Sequence, residues 1–171
     1  MIFRKALSDD LQEIMMLVRA ATLTMDAQGI PQWDDVYPSP EIVREDIEQE
    51  QMQVGLVEGQ IAVVFVLEPC RAGDYESANW QYAVDRFVVL HRLCVHPCFQ
   101  GHGIARQAMD YLEQEVRNSG IFAIRLDAFP QNPAAIRLYE SRGYVKAGEI
   151  TYRKGLFYLY EKSLAPLFCA E

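Results

Sequence analysis

The chain has 171 residues, of which half are hydrophobic and under a quarter are charged, and its formal net charge is −8. This is the composition of one globular domain that is large enough to bury a core. The acidic balance argues against a nucleic-acid-binding protein, which needs a basic face, and suits a cationic partner such as an amine. No apolar run approaches the roughly 20 residues of a membrane span, and the N-terminus lacks the apolar core of a signal peptide. We therefore expect no membrane association and a cytoplasmic location.

The first third of the chain predicts one strand, two helices and a linker between them. Ser8 is a suitable N-cap for the first helix, because two acidic residues follow it in the first turn. Ser39 is the expected N-cap of the second helix, with Pro40 at its first position. Trp33 lies in the otherwise polar linker, and we interpret it as the wall of a binding pocket. The predicted elements are a strand at 2–6, helices at about 9–24 and 40–50, and a linker at 28–33.

The middle of the chain predicts a β-hairpin followed by a long connection. Glu58 and Gly59 form a tight turn between two apolar runs, 52–58 and 60–67. Residues 69–85 are irregular and contain Tyr75, Trp80 and Tyr82. Long connections of this kind are often functional, so two interpretations stay open, a flap over a pocket and a mobile surface loop.

A strand, a loop with two glycines and a helix then follow one another. The apolar run 87–95 leads into the loop, and an amphipathic helix at 104–118 leads out of it. The first N–H groups of a helix have no internal partner and carry a partial positive charge, which favours a bound phosphate. No Lys-Ser or Lys-Thr follows the second glycine, and Arg106 stands where a dinucleotide fingerprint needs a third glycine. A phosphate-binding loop and an ordinary strand–turn–helix corner remain as alternatives.

Histidines and cysteines crowd around this corner and raise the question of a metal site. Their spacing matches no standard zinc pattern, and on a regular strand His91 and Cys94 would point to opposite faces. We predict no metal and four reduced thiols, because none of the cysteines forms a CxxC pair. The residues concerned are His91, Cys94, His96, Cys98 and His102.

The last third of the chain predicts a strand at 121–128, a helix and a closing hairpin at 144–150 and 156–162. Asn132 is the expected N-cap of the helix, with Pro133 at its first position. A strand–helix–strand unit implies that 87–95 and 121–128 form a parallel pair. Antiparallel hairpins flank this pair, so the predicted fold is α+β, a mixed but mostly antiparallel seven-stranded sheet flanked by about four helices.

Two motifs resemble the signatures of the GNAT superfamily of N-acetyltransferases. Residues 100–105, Gln-x-x-Gly-x-Ala, are similar to the pyrophosphate loop of that family, Gln/Arg-x-x-Gly-x-Gly/Ala. Residues 132–144 are similar to its second signature, Asn-x-x-Ala-x-x-Leu-Tyr-x-x-x-Gly-Phe, with Tyr144 in place of the phenylalanine. The resemblance implies a single N-acetyltransferase domain at 1–164 and a short C-terminal tail at 165–171.

The resemblance also implies the cofactor and its site. An acetyl group would pass from acetyl-CoA to an amine by direct transfer through a tetrahedral intermediate. The central parallel pair would splay at a bulge near Val95, and the pantetheine arm would enter the gap like an extra strand. The N–H of Cys94 or Val95 would polarise the thioester carbonyl. The residues expected to bind acetyl-CoA are Leu93, Cys94, Val95, Gln100, Gly101, His102, Gly103, Ile104, Ala105, Asn132, Ala135 and Tyr139.

The expected catalytic residues are Tyr139 and His91. By resemblance Tyr139 donates a proton to the leaving CoA thiolate, although a buried tyrosine packed on the helix is the alternative. Many relatives carry a glutamate base near the position of Phe87, and this chain has none there. His91 lies four residues further on the same strand face and could accept a proton directly or through water. A packed histidine is the alternative, and Asp85 and Glu68 are weaker candidates for the base.

Three aromatic residues, Trp33, Tyr37 and Trp80, are expected to line the acceptor pocket, and they favour an acceptor with an apolar or cationic part. The predicted acceptor is the primary amine of a small molecule. A protein N-terminus or lysine is the first alternative, and a non-catalytic acyl-CoA-binding sensor is the second. A homodimer is compatible with the fold, and nothing in the sequence fixes the oligomeric state.

Overall fold

The computed structural model describes residues 1–71, 78–82 and 86–165. These residues form seven strands and four α-helices, in the predicted order along the chain. Two short 3-10 turns, at Ser8–Asp10 and Pro97–Phe99, accompany them. The elements are β1 (Ile2–Lys5), α1 (Leu11–Ala27), α2 (Pro40–Glu48), β2 (Met52–Val57), β3 (Gln60–Arg71), β4 (Arg86–Val95), α3 (Ile104–Asn118), β5 (Ala123–Ala128), α4 (Pro133–Ser141), β6 (Val145–Tyr152) and β7 (Gly155–Ser163).

The strands form one sheet in the order β1-β2-β3-β4-β5-β7-β6. Every neighbouring pair is antiparallel except β4 and β5, which are parallel. The predicted mixed, mostly antiparallel sheet and its central parallel pair are therefore confirmed. None of the helices that the structure describes is long and apolar enough to cross a membrane.

Two helices begin at the side chains that the sequence indicates. The Ser39 hydroxyl accepts from the Ile42 N–H at 3.4 Å, and the Asn132 Oδ1 accepts from the Ala135 N–H at 3.1 Å. A proline occupies the start of both helices, where its missing N–H costs nothing.

The predicted N-cap of α1 is wrong. Ser8 opens a 3-10 turn, and α1 begins only at Leu11. Asp10 is the N-cap residue of α1, but its carboxylate makes no hydrogen bond to the helix, because it accepts from the Leu7 N–H at 2.7 Å and pairs with Arg4 at 2.6 Å. This ion pair joins β1 to the start of the helix.

The connection predicted as irregular from residue 69 is partly strand. Pro69 and Cys70 continue β3 and lie opposite Val88 and Phe87 of β4, so pairing with β4 extends the strand beyond its apolar run. Of the rest, residues 78–82 are described, whereas Tyr75 and Asp85 lie outside the described residues. Residues 166–171 of the predicted tail also lie outside them.

The sheet carries a separate core on each face. One core lies under α3 and α4, and the other lies under α1 and α2 and covers the β2–β4 side of the sheet. A smaller cluster of Ile30, Phe129 and Phe157 holds the linker between α1 and α2, residues 28–39, against the β5–β7 side. The linker therefore crosses the sheet face opposite α3 and α4.

Candidate active site

The parallel pair opens in the middle of the sheet. β4 and β5 are paired only at Val88–Ile124, Val89–Arg125 and Leu90–Leu126. β4 then continues to Val95, whereas the remaining residues of β5 pair only with β7. The pairing of the two strands therefore ends at Leu90–Leu126, and we call the region beyond it, between residues 91–95 of β4 and 127–128 of β5, the fork. An end of the pairing at this point is what a splayed central pair requires, and binding of CoA there stays a prediction.

The β-bulge that was predicted near Val95 lies at Arg92, three residues earlier in β4. Between the pairs Val66–His91 and Val64–Cys94, β4 contains one residue more than β3. Arg92 has the left-handed value φ 53°, which costs a non-glycine residue about 1–2 kcal/mol. Its guanidinium donates to the Tyr37 hydroxyl at 2.9 Å and to Asp46 Oδ1 at 2.5 Å, and these contacts offset the cost.

The bulge reverses the alternation of side chains along β4. Leu90, Leu93 and Val95 pack with the α3–α4 core, whereas Cys94 packs with the α1–α2 core. His91 also faces the α1–α2 side, because it contacts Glu68 there, so the expectation that His91 and Cys94 point to opposite faces is wrong. Among the described residues, no group of three His, Cys, Asp or Glu side chains is placed to hold a metal ion.

The loop after β4 is open in front of the first turn of α3. Gly101 and Gly103 have φ values of 79° and 76°, and a Cβ atom on either would meet nothing within 4 Å. Gly103 is the N-cap of α3, so it has no side chain to accept from the first N–H groups of the helix. Gln100 Nε2 donates to the Val95 carbonyl at 3.2 Å, and His102 Nδ1 lies 2.8 Å from the Gln100 carbonyl. A loop with open space in front of the first N–H groups of a helix fits a pyrophosphate.

Asn132 connects the start of α4 to the linker. Its Oδ1 caps the helix at the Ala135 N–H, and its Nδ2 donates to Gln32 Oε1 at 3.0 Å. Ala135 is half-buried and packs against the α3–α4 core. The Asn132 side chain, which the resemblance assigns to the pantetheine arm, therefore also contacts the linker between α1 and α2.

Tyr139 lies on the α3–α4 side and is 7 % exposed. Its ring meets that of Tyr144 edge-on at 5.8 Å. Burial raises the pKa of the Tyr139 hydroxyl above its usual value, and the charge of Asp127 adds to the effect. The hydroxyl is therefore protonated at neutral pH and can serve as a proton donor.

His91 lies on the other side, one residue beyond the last pair of the fork. Its Nε2 is 3.0 Å from Glu68 Oε2. Burial lowers the pKa of His91 below its usual value, and the charge of Arg92 acts in the same direction, whereas Asp127 and Glu68 oppose them. The imidazole is consequently neutral at pH 7 and can accept a proton.

The thiol of Cys94 is not available as a nucleophile. It is buried in the α1–α2 core, and this burial raises its pKa to about 12. Only its backbone remains available to the fork.

The three aromatic residues expected at the acceptor pocket have different neighbours. Trp33 is 6 % exposed and packs inside the α1–α2 core. Tyr37 accepts the hydrogen bond from Arg92, and the Trp80 ring lies 4.2 Å from the Arg125 guanidinium. Contact of any of them with an acceptor remains a prediction.

Three residues of the site were missed by the sequence analysis, namely Gln32, Arg92 and Asp127. Asp127 is an acidic residue in an apolar strand, and His91 and Arg92 interrupt the apolar run of β4. Charged residues in buried strands are uncommon, so both features were signals of a site. Gln32 lies in a polar linker and carries no such signal.

A mixed sheet with a central parallel pair, next to a glycine loop at a helix N-terminus, is the arrangement that the resemblance to the GNAT family predicts. The acetyltransferase (GNAT) family model matches residues 33–144, and the chain belongs to this family. The identification by resemblance is therefore confirmed.

Several known proteins are similar to this chain. It is 34 % identical over 65 residues to the L-methionine sulfoximine/L-methionine sulfone acetyltransferase of Salmonella typhimurium, covering 38 % of each chain. It is 34 % identical over 68 residues to the ribosomal protein bS18-alanine N-acetyltransferase of the same organism, covering 40 % of this chain and 44 % of that one. The chain thus spans about two fifths of the length of the curated relatives it matches.

Solved structures resemble the whole chain. The match to a GNAT-family acetyltransferase from Streptococcus agalactiae has a TM-score of 0.81 at 23 % identity and covers 95 % of this chain and 94 % of the other. The match to the ribosomal-protein-S18-alanine N-acetyltransferase of Escherichia coli has a TM-score of 0.71 at 17 % identity and covers 98 % of this chain and 96 % of the other. At these identities the likeness establishes the fold.

Proposed function

We propose that the protein is an N-acetyltransferase that moves the acetyl group of acetyl-CoA to a primary amine of a small molecule. The observation that carries the proposal is the opening of β4 and β5 between two chemically complementary side chains. Protonated Tyr139 lies on one face of the sheet and neutral His91 on the other, and both are influenced by the charge of Asp127, the residue of β5 just beyond the last pair. A donor and an acceptor of protons on opposite sides of a cleft suit a transfer in which one group enters as another leaves.

The chain offers a site for each part of acetyl-CoA. The N–H groups of residues 101–105, with Gln100 supporting the loop, would hold the pyrophosphate. The backbone of Leu93 and Val95 would pair with the pantetheine arm, since β4 has no parallel partner beyond Leu90. Asn132 and Ala135 would complete this side of the cleft. Acetyl-CoA would supply the activated acetyl group.

The proton balance of the reaction assigns a role to each residue. A lysine-like amine costs about 4.6 kcal/mol to deprotonate at pH 7, whereas an α-amine costs only about 1.4 kcal/mol. His91 would take this proton first, so that the neutral amine can attack the thioester carbon. The N–H of Cys94 or Val95 would stabilise the oxyanion of the tetrahedral intermediate, and Tyr139 would protonate the departing thiolate. The second proton of the amine nitrogen, which is lost as the intermediate collapses, would return through water to the Tyr139 oxygen and restore the hydroxyl.

The linker restricts the acceptor side of the fork. Asp34 binds Arg153 at 2.7 Å and Lys154 at 3.0 Å, so the linker is tied to the turn between β6 and β7. Gln32 ties the same linker to α4. Tyr37 of the same linker contacts Arg92, the neighbour of His91, so a tethered linker beside the acceptor side favours a small acceptor over a polypeptide. The net charge of −8 supports a cationic one.

Acetylation of a protein N-terminus is the second candidate. One relative is named for the alanine of ribosomal protein bS18. The low cost of deprotonating an α-amine favours an α-amine acceptor in either case.

Calorimetric titration with acetyl-CoA, followed by a thiol-release assay, tests the proposal. The acceptor panel would contain free amino acids, methionine sulfoximine, simple alkylamines, a peptide with N-terminal alanine and a lysine peptide. Micromolar acetyl-CoA binding with thiol release on small amines is the expected result. Release on peptides alone would favour the second candidate, and binding without release would indicate a sensor. Absence of acetyl-CoA binding would refute the proposal.

A further inference from the structure

We infer that Glu68 is a positioning residue that fixes His91 in the Nε2–H tautomer, so that Nδ1 is the atom that accepts the proton of the acceptor amine. The catalytic half of this inference rests on the proposed function, whereas the tautomer rests on the contact between the two side chains. Sequence analysis considered Glu68 only as a weak candidate for the base itself.

The register of the sheet places the two residues side by side. Glu68 of β3 lies opposite Val89 of β4, and His91 is two residues further along the same strand face. Val64 and Val66 precede Glu68 in β3 and pack into the α1–α2 core, so the alternation of the strand turns Glu68 to that face as well. The carboxylate and the imidazole thus meet on the side of the sheet from which an acceptor would approach.

The contact determines which ring nitrogen is basic. Glu68 Oε2 lies 3.0 Å from His91 Nε2. An ionised carboxylate can only accept hydrogen bonds, so Nε2 of the neutral ring must carry the hydrogen. The lone pair then belongs to Nδ1. The His91 side chain is 20 % exposed and that of Glu68 is 47 % exposed, so the carboxylate also reaches water.

The surroundings of His91 suit a base that is neutral at rest and charged during the reaction. Arg92 on its own strand and burial both oppose the imidazolium. Three carboxylates face it from the neighbouring elements, namely Glu68 from β3, Asp127 from β5 and Asp46 from α2. Once Nδ1 has accepted a proton, the contact with Glu68 becomes a charge-assisted hydrogen bond, which is stronger than the neutral one.

The fork places this base beside the proposed thioester site. Leu90 and Leu126 form the last pair of β4 and β5, and both pack into the α3–α4 core. His91 and Asp127 are the next residues of their strands and face the opposite side. The proton acceptor therefore lies where the strands begin to separate.

Long-range ¹H–¹⁵N NMR on protein with ¹⁵N-labelled histidine rings tests the tautomer of His91 directly. The chain has only three histidines, and a His91→Gln variant assigns the His91 signals. We expect a single Nε2–H tautomer in the wild type. The Glu68→Gln side chain can accept from Nε2–H or donate to a bare Nε2, so a mixture of tautomers is expected there. Glu48→Gln, an exposed glutamate at the end of α2, is the control and should leave the signals unchanged. An Nδ1–H tautomer in the wild type, or identical spectra for wild type and Glu68→Gln, would overturn the inference.

The dependence of kcat/KM on pH tests the catalytic half with the best amine of the panel. Loss of the Glu68 charge destabilises the imidazolium, so the acid limb of the Glu68→Gln profile should move to lower pH. We expect kcat to fall by about 10- to 100-fold, with the KM for acetyl-CoA unchanged, because the neutral amide neither fixes the tautomer nor gives the imidazolium a charge-assisted hydrogen bond as Nδ1 takes the proton. A changed tautomer with an unaltered kcat and profile would overturn the positioning role. A wild type that acetylates no amine would instead refute the proposed function, and the NMR result would still decide the tautomer.

Discussion

Gln32 and Asn132, which are 100 residues apart in sequence, share a hydrogen bond of 3.0 Å between Gln32 Oε1 and Asn132 Nδ2. Gln32 belongs to the linker that carries Trp33 and Tyr37, and Asn132 begins the helix that carries Tyr139. The proposed acceptor side and the proposed CoA side are thus in direct contact. An acetyl-CoA molecule bound at Asn132 would therefore contact a side chain that also holds the linker through Gln32.

Asn132→Asp separates the two roles of this side chain. Aspartate retains the oxygen that caps α4 and loses the Nδ2 donor, so thermal stability should stay near that of the wild type. Loss of one hydrogen bond to the pantetheine arm, about 0.5–1.5 kcal/mol, should raise the Kd for acetyl-CoA about 2- to 12-fold. Asn132→Ala should lose about 1 kcal/mol of stability in addition, because the cap is removed. Calorimetry and thermal unfolding measure both effects.

Gln32→Ala is the matched control for that comparison, since it removes the linker contact and leaves Asn132 intact. Its Kd for acetyl-CoA should remain within about twofold of the wild type, which is less than the loss of one hydrogen bond. Wild-type affinity in Asn132→Asp would show that the amide nitrogen does not contribute to binding.

Gly103→Glu should abolish the phosphate site without destroying the fold. The substitution places a carboxylate at the start of α3, where the proposal puts the pyrophosphate. Gly59→Glu in the turn between β2 and β3 is the matched control, because Gly59 has a φ of 83° against 76° for Gly103 and both face open space. Both variants bear a similar left-handed strain of about 1–2 kcal/mol. Only Gly103→Glu should weaken acetyl-CoA binding, by more than about tenfold; equal affinities for the two variants would refute the assignment of the loop.

The sequence predicted what depends on local chemistry. Asn132 with Pro133 and the two glycines before α3 have intrinsic preferences for helix starts and turns, so their positions were readable. The bulge at Arg92 was not readable, because β4 is apolar on both faces and its alternation carries no information about register. Its position depends on Asp46 and Tyr37, which are 46 and 55 residues away in sequence. Contacts at such separations follow from the packing of α2 against the sheet.

Tyr139→Phe tests the proton donor. The phenyl ring retains the packing, so stability should change little, while kcat should fall by about 10- to 1,000-fold. Because burial raises the pKa of Tyr139, the wild-type hydroxyl should remain protonated in alkaline solution, and kcat should show no basic limb from this group up to about pH 9. Tyr144→Phe, in the neighbouring ring, is the control and should keep its kcat. Wild-type kcat in Tyr139→Phe would leave the residue with a packing role alone.

The buried pair of Asp46 and Arg92 should dominate the stability of the bulge. The two side chains are 8 % and 13 % exposed and lie 2.5 Å apart. Asp46→Ala leaves an uncompensated buried cation and should cost about 3–5 kcal/mol of unfolding free energy. Arg92→Gly removes the strain of the left-handed residue but leaves the buried carboxylate of Asp46 without its partner. In urea unfolding, the double variant should be more stable than the sum of the single losses predicts, and simple additivity would mean that the pair is not coupled.

The pH dependence of Arg92→Gly provides a second measurement of the same pair. Burial raises the pKa of Asp46 above its usual value, and Arg92 opposes this in the wild type. Without Arg92 the folded-state pKa should rise further. A carboxyl group with a raised folded-state pKa destabilises the protein when it is ionised, and this cost disappears as the pH falls and the group becomes protonated. The stability deficit of Arg92→Gly relative to the wild type should therefore shrink between pH 7 and about pH 5. A deficit that stays constant from about pH 9 to about pH 5 would mean that another group compensates the charge of Asp46, which would contradict its pairing with Arg92.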